Sequence, residues 1–175
     1  TGSSATLVVE GVDGAGGNDE FVLTNPVVGD VQVLDVVSGV TVTGLNFLVD
    51  DRLHVDTLGG DDLIQVDVNS GLIPITVDGN ANSDALQIIG DPSLAPGDDL
   101  DQVEYFPGPA VGDGRLLYDL DWTTPLTHEM VIDFANMEPV IDLTHANVAV
   151  TVYGTNADNA INFMDGPNTG PFGGR

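Results

Sequence analysis

The chain has 175 residues, of which 28 are acidic against three arginines and no lysine, a formal net charge of −25. Such a field repels polyanions, which excludes nucleic acid and anionic membrane surfaces as partners. An apolar share of 42% is enough for a packed core and argues against wholesale disorder, and the sequence holds no cysteine and no apolar run long enough for a membrane-inserted helix.

Glycine (22) and proline (10), with Asp and Asn, interrupt almost every run before three helical turns could form, so the chain reads as all-β. It opens on a linker-like Thr1-Gly2-Ser3-Ser4. Short apolar-x-apolar steps then recur, each the mark of a strand with one buried face. They are Val31-Gln32-Val33, Val40-Thr41-Val42, Leu53-His54-Val55, Ile64-Gln65-Val66, Ile75-Thr76-Val77 and Leu86-Gln87-Ile88. The last four begin at 53, 64, 75 and 86, eleven residues apart, so two steps make a unit of twenty-two. That is a plausible turn of a parallel β-helix or β-solenoid with short strands; an antiparallel β-sandwich with even strand spacing is the alternative. After Gly90 the regularity fades. The stretch Asp91–Asp99 reads as a loop, Gln102–Phe106 and Arg115–Leu120 as a hairpin, and Met130–Phe134 and Asn147–Tyr153 as strands. The expected organisation is one all-β domain over 1–165, solenoid-like over about 6–90 and less regular over about 100–165, with a Gly/Pro-rich linker or tail at 166–175. Both ends read as linker, as in a piece of a longer chain.

The nine-residue pattern G-G-x-G-x-D-x-U-x, with U apolar, builds calcium-binding β-rolls: the glycines permit the turn, the Asp ligates the ion, and U enters the core. Four imperfect copies occur, beginning at Gly14, Thr57, Gly79 and Gly154. Their sixth positions are Asp19, Asp62, Asp84 and Asn159, and their eighth are Phe21, Ile64, Leu86 and Ile161. With the fifth-position acids Asp61 and Asp158, this marks Asp19, Asp61, Asp62, Asp84 and Asp158 as candidate calcium ligands. In sequence the copies are scattered, forty-three residues from first to second and seventy-five from third to fourth. Without calcium, the same aspartates are turn-makers that bond nearby backbone.

The stretch Leu58–Val68 followed by Gly71–Gly79 resembles the repeats of very large surface proteins of planctomycete-like bacteria, related to hemolysin-type calcium-binding repeats. Phe134–Val140 followed by Val150–Thr155 is similar to another recurring segment of those proteins. The resemblance runs from Thr6 to Asp165 and implies an exported, repetitive, β-helical or β-sandwich segment of a surface or adhesin-like protein. The sequence departs from the calcium pattern at Ala15 and Leu58, which stand at glycine positions, and at Asn159.

Enzymatic constellations are weak. His54, His128 and His145 have no zinc spacing, and no nucleophile elbow or P-loop is present. Lyases of acidic sugars need basic residues, of which this chain offers three arginines and no lysine. Trp122, Tyr105, Phe106, Tyr118 and Tyr153 are candidates for a sugar-stacking platform, with Trp122 and Tyr105 foremost. The expected function is a secreted or cell-surface structural or adhesive module, not an enzyme, stabilised by calcium and self-associating with identical copies or neighbouring repeats. A glycan- or surface-ligand-binding module is the alternative.

Overall fold

Short segments rich in Val, Ile and Leu, broken every few residues by Gly, Asp and Asn, can satisfy their backbone only by pairing laterally. The computed structural model describes residues 6–11, 17–27, 30–46, 52–68, 74–89, 100–119, 130–144, 146 and 149–155, and among these it is all-β. The strands are β1 (Thr6–Glu10), β2 (Glu20–Val27), β3 (Asp30–Asp35), β4 (Val40–Asn46), β5 (Arg52–Asp56), β6 (Leu63–Asp67) and β7 (Ile75–Asp78). They continue as β8 (Ala85–Ile89), β9 (Gln102–Pro107), β10 (Gly114–Asp119), β11 (Met130–Ala135), β12 (Val140–Asp142) and β13 (Ala149–Val152).

Two sheets result. One has seven strands in the order β1-β5-β7-β11-β10-β9-β13, the other six in the order β12-β8-β6-β2-β3-β4. From β5 to β8 the chain alternates between them. Leu53 pairs with Ile75 in the first sheet and Ile64 with Leu86 in the second, both parallel. The twenty-two-residue unit of the sequence is thus the distance between paired positions. β1 pairs parallel with β5, and β2 with β6.

Two hairpins interrupt this order. β3 and β4 run on antiparallel from β2 and extend the six-stranded sheet. β9 and β10 pair antiparallel with each other, and β10 pairs antiparallel with β11. After that second interruption the parallel pattern resumes, β11 beside β7 and β12 beside β8. Both sheets are therefore mixed. The all-β expectation holds, but neither an uninterrupted parallel β-helix nor an all-antiparallel sandwich describes the arrangement. Local hairpins pair their own ends antiparallel wherever the chain departs from the twenty-two-residue period.

Strand alternation puts one apolar face inward. Leu53, Val55, Ile64, Val66, Ile75, Val77, Leu86, Ile88 and Ile132 are fully buried and share one core with Phe21, Leu23, Leu116, Tyr118 and Met137. Each such aliphatic side chain contributes about 1.5–3 kcal/mol by leaving water. His54, between Leu53 and Val55, takes the outward alternation and is half-buried.

Candidate functional site

Three of the four motif copies meet at the turns that lead into the six-stranded sheet; the fourth lies mostly outside the described residues. Because β2 pairs with β6 and β6 with β8, the residues just before these strands stack in register. The backbone N–H of Asp19 donates to Asp62 Oδ1 at 2.7 Å, and that of Asp62 donates to Asp84 Oδ1 at 3.0 Å. The three carboxylates form a column, 6%, 2% and 1% exposed. A second column stands outside it: the Asp61 N–H donates to Asn18 Oδ1 at 3.1 Å, and the Ser83 N–H to Asp61 Oδ1 at 3.2 Å.

The apparent scatter of the copies is therefore an effect of insertion. The forty-three residues between the first two copies hold one twenty-two-residue unit plus twenty-one residues, and β3 and β4 lie within that stretch. In space the first three copies occupy adjacent rungs.

Glycines make room for the column. A Cβ on Gly11 would lie 2.5 Å from Asp19 Oδ2, one on Gly60 2.8 Å from Asp62 Oδ1, and one on Gly79 2.8 Å from Asp84 Oδ2. Thr57 sits buried at the matching end of β5 and donates its hydroxyl to the Gly79 carbonyl at 3.2 Å.

Each of the two inner acids has one oxygen satisfied and one not. Asp62 Oδ2 and Asp84 Oδ2 are buried and meet no hydrogen-bond donor. Burial, chiefly, with the facing Asp62 carboxylate and Asp61 acting in the same sense, pushes the Asp84 carboxyl up to about 6 against the opposing effect of the Asp62 N–H.

The preceding turn is built the same way on two successive rungs. Asp56 Oδ1 accepts the Leu58 N–H and Asp78 Oδ1 accepts the Asn80 N–H, two Asx turns. Leu58 (φ 65°), Asn80 (φ 58°) and Asn136 (φ 57°) are all left-handed. The Asn80 amide reaches back to Asp56 Oδ1 at 2.6 Å, and the Asn136 amide to Asp78 Oδ1 at 2.8 Å. Leu58, the departure from glycine noted in the sequence, thus occupies a backbone conformation that glycine or asparagine adopts with less strain.

Among the described residues no three acidic or histidine side chains converge as a metal cage. Asp19, Asp61, Asp62 and Asp84 are brought together; Asp158 lies outside the described residues, as does Trp122. Asn18 and Ser83 were not singled out by the sequence reading, although alignment of the copies on position five places both beside Asp61.

The aromatic candidates separate. Tyr118 is buried and donates its hydroxyl to Asp142 Oδ2 at 3.1 Å. Tyr105 turns to the inner face, its ring 6.3 Å from that of Phe134, and lines an apolar groove with Val103, Leu116, Val150 and Val152. Phe106 and Tyr153 stack on the opposite face, with centroids 4.1 Å apart and planes within 7°. No protein-family model, curated protein or solved structure matches the chain.

Proposed function

We propose that this chain is a secreted or cell-surface structural or adhesive module, a short solenoid-like stack whose aspartate column is neutralised by a bound divalent cation, calcium foremost. Parallel pairing at an offset of twenty-two residues, β5 with β7 and β6 with β8, supports the stacked-coil reading.

The observation that carries the cation reading is the pair of buried, donor-free oxygens, Asp62 Oδ2 and Asp84 Oδ2. Two like charges buried side by side cost several kcal/mol unless compensated. A hard cation compensates both at once, and aspartate oxygens suit calcium. Two carboxylates are short of a full calcium shell, so carbonyl and water oxygens would complete it.

Among the described residues the seven-stranded sheet ends on β1 and β13, where Val8 on the one and Val150 and Val152 on the other are exposed. Such edges are ready pairing surfaces, which supports association with identical copies or neighbouring repeats. On this reading the module holds rather than catalyses.

The test is thermal unfolding in EDTA, in millimolar Ca²⁺, and in NaCl of matched ionic strength. An ion bound only by the folded chain raises the midpoint by mass action. We expect a rise with calcium well beyond that with NaCl, lost in Asp62→Asn and Asp84→Asn. Equal rises would reduce the effect to screening and remove the cation from the reading.

A further inference from the structure

The seven-stranded sheet carries a second feature on its outer face. A shallow, open cleft of about 500 Å³ lies where the β9–β10 hairpin meets β11. Phe106, Pro107 and Pro109 wall it, and Leu117, Ala135 and the fork formed by Arg115 and Asp133 complete it. Arg115 Nε donates to Asp133 Oδ1 at 2.5 Å and its Nη2 to Oδ2 at 3.0 Å. Tyr153 backs Phe106, and its hydroxyl donates to Glu104 Oε1 at 2.6 Å.

We propose that this cleft binds a neutral saccharide. The apolar wall offers ring faces against which the C–H face of a sugar packs. The planar fork sets guanidinium donors and carboxylate acceptors side by side, so that of two vicinal hydroxyls one accepts from Arg115 and its neighbour donates to Asp133. A mostly apolar concavity with a few convergent polar groups is the form that small-molecule sites take.

Charge selects among sugars. The chain carries −25, so an acidic saccharide is repelled. Asp133 is paired with Arg115, and the second acid of the lining, Asp113, accepts the Asn136 backbone N–H through Oδ1. A neutral polyhydroxylated ring escapes the repulsion and uses both halves of the fork. The proposal is independent of the aspartate column, which lies at the turns entering the other sheet.

The experiment is NMR titration of the whole chain, in EDTA, with cellohexaose, xylohexaose and mannohexaose, and with hexagalacturonate as the acidic comparison. Signals of the Arg115 Nε–H and of the Phe106 and Leu117 amides are followed. At least one neutral oligosaccharide should shift them saturably, with millimolar affinity or better. Phe106→Ala should weaken that binding by about fivefold or more. Arg115→Lys, which keeps the charge and loses the fork, should do the same while leaving the unfolding midpoint nearly unchanged. The proposal is overturned if no neutral sugar shifts these signals at ~10 mM, if only hexagalacturonate does, or if Arg115→Lys binds as the parent does. Because chelator is present throughout, failure here leaves the cation reading untouched, and failure of the cation reading leaves this one standing.

Discussion

Leu58 and Asn80 stand one rung apart in the same left-handed backbone conformation, but only Asn80 has a side chain that repays it, through its bond to Asp56. A branched residue there costs about 1–2 kcal/mol in backbone strain. Leu58→Asn should therefore stabilise the fold by about 0.5–1 kcal/mol, read as a higher urea midpoint with unchanged slope. Asp84 is the reverse case, a residue whose charge the fold opposes. Its carboxyl is raised to about 6, so folding favours the protonated form. That contribution is fully present below the unfolded-state pKa and is lost as pH rises through about 6. Asp84→Asn keeps an acceptor for the Asp62 N–H and turns a donor toward the Asp62 carboxylate. In chelator at pH 7 it should raise stability by about 1–2 kcal/mol and flatten the fall between pH 4 and 7. Lower stability at pH 7 would show that the charged Asp84 is favourable without a metal.

The hairpin of β3 and β4 has its own anchor. Asp35 Oδ1 accepts the N–H groups of Val37 and Ser38, and its Oδ2 accepts the Ser38 hydroxyl. The Ser38 hydroxyl, chiefly, holds the carboxyl below its ordinary value, and the two backbone donors act in the same sense against partial desolvation. The linkage sign is opposite to that of Asp84: the contribution is present at neutral pH and lost as pH falls through the depressed pKa. Asp35→Ala should cost about 0.5–1.5 kcal/mol at pH 7, with amide exchange accelerating first in residues 30–46. The β9–β11 element depends instead on close approach. A Cβ at Gly114 would lie 2.5 Å from Phe134 Cζ and 3.0 Å from the Phe106 carbonyl. Gly114→Ala should displace the Phe134 ring and cost about 1–3 kcal/mol, measured by the same urea titration.

Over the whole molecule, acid repulsion is the term most open to solution conditions. With a net charge of −25, stability should rise as NaCl screens surface pairs beyond a Debye length, about 10 Å at 0.1 M. The buried Asp62–Asp84 pair is screened far less, which is why calcium and NaCl separate in the unfolding test. An NaCl titration that leaves the midpoint flat would mean that surface repulsion is already compensated within the fold.

What residue type and spacing determine by themselves is local and periodic. Frequent Gly, Pro and Asp preclude long helices, the period of two marks the strands, and the eleven-residue step from Leu53 to Leu86 survives as pairing at twenty-two. The hairpin of β9 and β10 was legible because its turn residues lie between its own strands. Which distant copies touch was not legible. The step from Asp19 to Asp62 looks irregular until β3 and β4 leave the stack as an antiparallel hairpin and the chain returns beside β2. Nor could alternation alone assign Phe106 and Tyr153 to one face and Tyr105 to the other, since a one-residue shift in register would exchange them. Side-chain chemistry is written along the chain, but columns, clefts and unpaired oxygens arise between strands, where only the tertiary fold sets the neighbours.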